Sequence, residues 1–99
     1  MTQIRVVRYT TTPATRDTNA QLVSAVYSAL AEAQPEGLRY ATLRVGEEPS
    51  FLHIAVLDGE DNPLPGLPAF QEFQRDLSAR VLAPPDAQPA TLIGNYRLL

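Results

Sequence analysis

The sequence predicts an α+β fold in which four antiparallel strands and two helices run in the order β-α-β-β-α-β. Three observations carry that prediction. Two segments, Leu38–Val45 and Phe51–Leu57, bear apolar residues at both parities, the pattern of strands buried on two sides rather than one. Only two stretches have helical periodicity, and two helices cover one face of a small sheet. The opposite face then needs a cover, and a second copy of the same chain is the simplest one.

Each element follows from local chemistry. Ile4 to Tyr9 is rich in β-branched residues and reads as the first strand, ended by Thr10 to Pro13. Thr15 to Asp17 supplies polar residues suited to capping a helix. Leu22, Val23, Val26, Tyr27 and Leu30 recur at spacings of three and four, a single apolar stripe running to about Gln34, where Pro35 and Gly37 stop it. Gly46-Glu47-Glu48-Pro49 is a hairpin connector between the two doubly apolar strands. The stretch from Asp58 to Pro68 is too rich in Pro, Gly and Asn for regular structure. Pro68 fits the first turn of a second helix, whose stripe is Phe70, Phe73, Leu77 and Val81 and whose end is Pro84-Pro85. Ala90 to Leu98 is expected to be the last strand.

Two right-handed crossovers around a hairpin place both helices on one face of the sheet, the ferredoxin-like plan, as a single domain over residues 1–99. Strand parity then divides the side chains. Ile4 and Val6, Ala41, Leu43 and Val45, and Leu52, Ile54 and Val56 are the more uniformly aliphatic set and are expected under the helices. Arg5, Val7 and Tyr9, Tyr40, Thr42 and Arg44, and His53, Ala55 and Leu57 are expected on the open face. Either Leu92, Gly94 and Tyr96 or Ile93 and Asn95 face the helices in the last strand. A mixed polar and aromatic face of this kind marks an interface or a ligand site.

Composition narrows the function classes. The 99 residues carry a net charge of −3, with eight arginines, no lysine and no cysteine. The arginines are spread from Arg5 to Arg97, which gives no basic footprint for nucleic acid. Without cysteine there is no disulfide, thiolate metal site or cysteine nucleophile. No apolar run approaches the roughly 20 residues of a membrane span, and the N-terminus lacks a signal-peptide core, so a soluble cytoplasmic protein is expected. One histidine and no cysteine leave no usual zinc site. Asp58, Glu60 and Asn62 have calcium-loop spacing, but Pro63 replaces the required glycine and Ala69 occupies the twelfth position, so no metal is expected. The same loop is placed to lie over a pocket mouth as a stiff cover.

Beyond this plan, the opening strand Ile4–Tyr9 with its Pro-containing turn, the apolar hairpin, the run from Leu67 to Phe73 that starts the second helix, and the closing Ile93-Gly94-Asn95-Tyr96 carry a family likeness. The chain resembles the antibiotic-biosynthesis-monooxygenase type of dimeric α+β barrel protein over nearly its whole length. The resemblance implies a homodimer whose two sheets form a barrel, and a small-molecule pocket between sheet and helices. It also implies cofactor-independent oxygenation of an aromatic or polyketide-like metabolite. The departures are specific. Some such oxygenases use an Asn-Trp-Arg constellation, and this chain has no tryptophan. The haem-degrading branch uses a helical histidine with a tryptophan, whereas His53 lies on a predicted strand. No cofactor is expected.

His53 is the only side chain expected to titrate near neutral pH and is the candidate proton-transfer group. Tyr40 and Arg44, four apart on one strand, share a face and, with Tyr9 and Arg5, offer an aromatic wall and a cationic anchor for an anionic planar ligand. Asn95 is the candidate hydrogen-bond donor to a developing oxyanion, and Phe70 a core anchor that doubles as a pocket wall. Each has a purely structural counterpart: an interface histidine, a packing cluster with solvated arginines, an edge-strand amide, a core ring. The competing reading is a non-catalytic dimeric binding or accessory module.

Overall fold

The computed structural model describes residues 2–99. Strand β1 is Gln3–Thr10, helix α1 Arg16–Ala33, β2 Leu38–Val45, β3 Ser50–Leu57, helices α2 Pro68–Arg75 and α3 Leu77–Arg80, and β4 Asp86–Ala90. The strands form one antiparallel sheet in the order β2-β3-β1-β4, which is the ferredoxin-like arrangement. The hairpin falls where Gly46 to Pro49 predicts it, with Val45 opposite Ser50 and Gly46 at φ 68°, a left-handed value that favours glycine. Helix α1 ends with Gln34 in the left-handed region, its N–H donating to the Leu30 carbonyl at 2.8 Å. Thr15 precedes α1 but its hydroxyl does not cap it. The hydroxyl donates instead to the Arg80 carbonyl at 3.1 Å, tying the start of α1 to the end of α3.

The expected face assignment is inverted. Register puts Val7, His53 and Thr42 side by side, and Arg5, Ala55 and Tyr40 likewise, so each set of side chains does share a face as parity requires. The helices, however, cover the Tyr9, Tyr40 and His53 side. The core there is Tyr9, Val23, Val26, Phe51, Leu64 and Phe73, with Tyr40, Tyr27 and Phe70 packed against it. The physical reason is the chemistry of the helix stripes. Helix α1 brings a buried Asn19 together with its aliphatic residues, α2 brings Phe73, and α3 brings a buried Arg80. Asn19 finds its partner in the Tyr9 hydroxyl on that face, and Arg80 in turn bonds Asn19 and the Phe73 carbonyl. The aliphatic set, Ile4, Val6, Leu43, Val45, Leu52 and Ile54, is left on the open side, with Leu43 and Val45 each 46% exposed.

The last strand is also displaced. It spans Asp86–Ala90 and pairs with β1 from Ile4↔Ala90 to Arg8↔Asp86, rather than Ala90 to Leu98. Pro89 is tolerated because β4 is an edge strand with one neighbour. Residues 91–99 carry no strand. The second predicted helix is broken at Asp76, and Val81 leaves it to bridge Thr11, with Leu82 N–H donating to the Thr10 carbonyl at 2.9 Å. Among the described residues no helix is long and apolar enough to cross a membrane.

Candidate functional site

The site is built on the middle of the sheet. β1, β2 and β3 place Tyr9, Tyr40 and His53 on the helix-covered face. His53 is 5% exposed. Its Nε2 lies 2.8 Å from the Tyr9 hydroxyl, and its Nδ1 lies 2.6 Å from the Tyr40 hydroxyl and 3.1 Å from that of Thr42. The rings pack as well: Tyr9 stacks on His53 with centroids 5.3 Å apart, and Phe73 lies tilted against it at 5.4 Å. Asn19 donates from Nδ2 to the Tyr9 oxygen at 2.9 Å and accepts at Oδ1 from Arg80 Nε at 3.1 Å. Arg80 also donates from Nη2 to the Phe73 carbonyl at 2.6 Å and sits 5.5 Å over the Phe73 ring. Among the described residues every buried side-chain polar atom has a partner.

Arginine only donates, so the Asn19 oxygen must face Arg80 and its amide nitrogen must face Tyr9. The Tyr9 oxygen therefore accepts, and its own hydrogen is free to go to His53 Nε2. That assigns the His53 proton to Nδ1, from the network rather than from observed hydrogens. Nδ1–H then donates to the Tyr40 or Thr42 oxygen, which leaves a hydroxyl hydrogen of Tyr40 for whatever lies in front of it.

Electrostatics follow burial. Desolvation of the charged form lowers the His53 pKa from 6.5 to about 4, so the ring is neutral at pH 7. Burial, partly offset by the Asn19 hydrogen bond and the Arg80 charge, pushes the Tyr9 phenol up to about 12. Burial likewise raises Tyr40, aided by neighbouring Tyr27 and opposed by its Thr42 hydrogen bond. All three groups are neutral hydrogen-bonding groups at neutral pH.

In front of them is a cavity of about 330 Å³ between the sheet and α2, within the size range of small-molecule sites. Tyr9, Tyr40 and His53 form its polar wall, Phe70 and Phe73 its aromatic wall, and Arg5 is its one charged lining residue. Asn62, Leu64 and Pro65 of the long loop line it too, so the loop does border the cavity. The Asn62 oxygen accepts from the Leu64 N–H at 3.0 Å, which holds that turn in place.

Of the sequence-predicted residues, Tyr9, Tyr40, His53 and Phe70 converge on this cavity. Arg44 and Asn95 do not. Arg44 shares the strand face but lies beyond Thr42, opposite Phe51 near the hairpin, and lines a separate surface groove against α1. Asn95 is in the exposed segment after β4, where its side chain binds the Leu98 and Leu99 backbone. With no strand over 91–99, it is not carried to the cavity and lines instead a groove with Ile4 and Val56 on the opposite face of the sheet. Arg5 holds the cationic position expected of Arg44. Asn19 and Arg80 were missed, although the signal is in the sequence. Each extends an apolar helix stripe, Asn19 three residues before Leu22 and Arg80 three after Leu77, and a polar residue on an apolar stripe is a buried polar group in search of a partner. Among the described residues no cluster of His, Asp or Glu is grouped to hold a metal ion.

No family sequence model matches the chain, and no curated protein matches it. Solved structures do. Rv0793 from Mycobacterium tuberculosis superposes with a TM-score of 0.76 at 11% identity, covering 96% of this chain and 98% of the other. SnoaB, a cofactor-independent oxygenase from Streptomyces nogalater, gives 0.71 at 19% identity, with 97% of each chain covered. A provisionally assigned antibiotic biosynthesis monooxygenase from Chloroflexus aurantiacus gives 0.72 at 15% identity, again with 97% of each covered. The chain thus has the ferredoxin-like α+β fold shared by antibiotic-biosynthesis-monooxygenase-like proteins.

Proposed function

We propose that the chain is a homodimeric small-molecule protein that binds a planar aromatic or polyketide-like metabolite between sheet and helices and acts on it as a cofactor-independent oxygenase. The observation that carries this reading is the cavity whose polar wall is Tyr9, His53 and Tyr40 and whose opposite wall is Phe70 and Phe73. Aromatic walls favour a flat apolar ligand. The hydroxyls and Arg5 favour an oxygen substituent that can ionise. In such chemistry the substrate anion is itself the reductant of O₂, so the protein supplies binding, orientation and a route for the departing proton. Tyr40 and Tyr9 touch the substrate, and His53 links them. A neutral, desolvated imidazole is a weak base by itself, so it serves as a relay between hydroxyls.

The test is oxygen uptake with a hydroxylated three-ring ketone such as an anthrone. Wild-type protein consumes O₂ and forms the ring-oxidised product. His53→Ala and Tyr40→Phe bind the compound but lose most turnover. Full turnover by His53→Ala would refute the assigned role. A second reading, a non-catalytic dimeric binding module, is favoured by one observation: both His53 nitrogens are already engaged by the protein's own hydroxyls. It predicts saturable binding of the same compound with no oxygen uptake.

A further inference from the structure

The hydrogen-bonded file does not end at the cavity. On its far side Thr42 Oγ1 lies 3.1 Å from His53 Nδ1 and 2.8 Å from the Tyr27 hydroxyl. Tyr27, on α1, is half-buried, and Tyr27 and Thr42 together line a surface groove that also holds Arg44 and Ser24. An unbroken series of exchangeable groups therefore runs from Tyr9 in the cavity, through both nitrogens of His53, through Thr42, to Tyr27 at the opposite surface. Every link is between 2.8 and 3.1 Å. Each member both donates and accepts.

We infer that Thr42 and Tyr27 are relay residues that carry a proton between the cavity and solvent through His53, with its exit at the groove between α1 and β2. The step balances. A proton delivered to the Tyr9 oxygen moves the Tyr9 hydrogen to His53 Nε2. The Nδ1 proton passes to Thr42, the Thr42 hydrogen to Tyr27, and the Tyr27 hydrogen to water. One proton leaves the cavity, every group keeps its composition, and the imidazole changes only its tautomer. Entry at one nitrogen as the other releases means that no imidazolium accumulates in a site that disfavours charge. The starting polarity is the one that Arg80 and Asn19 impose: Nε2 open to accept, Nδ1–H ready to donate. Arg44 is the charged group at the exit.

The inference rests on the cavity reading above, but its test needs no ligand, so either can fail alone. His53 is the sole histidine in the chain, so ¹⁵N-histidine labelling of the full protein reports one ring. The rate at which its ring proton exchanges with water is the readout. In a Tyr40→Phe background, which removes the other hydroxyl on Nδ1, Thr42→Val keeps the side-chain shape, removes the hydroxyl and is expected to slow exchange at least about tenfold, because exchange must then wait for local opening. In the same background Thr42→Ser restores it, and Tyr27→Phe, a milder change nearer the surface, slows it in the same direction. Unaltered exchange there in folded Thr42→Val, or in Tyr27→Phe should Thr42→Val not fold, overturns the relay. So does slowing by Tyr9→Phe alone, which would place the route through the cavity mouth.

Discussion

Arg80 sets the direction of the hydrogen bonds that reach the cavity. It is buried and forms no salt bridge with any carboxylate among the described residues. Its donors go to a side-chain amide, a backbone carbonyl and a ring face. Replacing it by methionine keeps much of the bulk but strands the Asn19 oxygen and the Phe73 carbonyl. The expected cost is about 2 kcal/mol, read from the urea midpoint. The same substitution frees Asn19 to rotate, so the His53 ring ¹⁵N shifts should move from one dominant tautomer towards a mixture. The pH dependence of stability also belongs here. The His53 pKa is lowered on folding from 6.5 to about 4, so between those values the unfolded chain binds the proton and the folded chain does not. The stability that the neutral ring permits is fully present above about pH 6.5. It falls as the pH drops towards 4, by up to about 3 kcal/mol. Urea titrations across this window should show that slope in the wild type and a flatter one in His53→Gln.

At the scale of elements, the helices were legible because periodicity and breakers agree. The apolar stripe from Leu22 to Leu30 and the Pro35-Glu36-Gly37 stop give α1 within a residue of its observed end. Phe70 and Phe73 give α2, and Phe73→Ala should cost about 3–5 kcal/mol as a buried aromatic deletion. The final strand was misplaced for a reason visible only in the assembled sheet. Apolar Leu92, Ile93, Tyr96 and Leu98 read better as a strand than Asp86–Ala90 does, yet β1 has one free edge and Asp86–Ala90 reaches it first after Val81 is pinned to Thr11. Ile93 is 94% exposed as a result. A chain truncated after Thr91 should keep the sheet signal of the full protein by far-UV circular dichroism. Loss of that signal would mean that the terminal segment, and not β4, completes the sheet.

For the whole molecule, the inverted faces separate assembly from chemistry. The open face is aliphatic and presents Leu43 and Val45 to solvent, while Val56 at its centre is only 1% exposed and shares a groove with Leu98 and Leu99. Burying that face against a second copy removes apolar area from water, which is the basis of the proposed homodimer. The cavity lies on the other side of the sheet, within one subunit. Leu43→Glu should therefore convert a dimer into a monomer by light scattering while leaving ligand binding in the cavity within about twofold, since Leu43 does not line the cavity. Loss of binding in the monomer would mean that a partner subunit completes the cavity.

Composition and spacing alone determined the element order, the hairpin, the two sets of side chains and the company of Tyr9, Tyr40 and His53; Phe70 joined them only because the helices cover that face. The former depend on local periodicity and on strand parity, which any neighbour must respect. Which set the helices cover was decided by tertiary structure, because it turns on whether Asn19 and Arg80 can be satisfied. That is a question about partners 10 to 61 residues away along the chain. The exclusion of Arg44 and Asn95 was decided there too. Sharing a strand face does not bring a side chain to the same side of a crossing helix, and an apolar segment becomes a strand only where an unpaired edge remains to receive it.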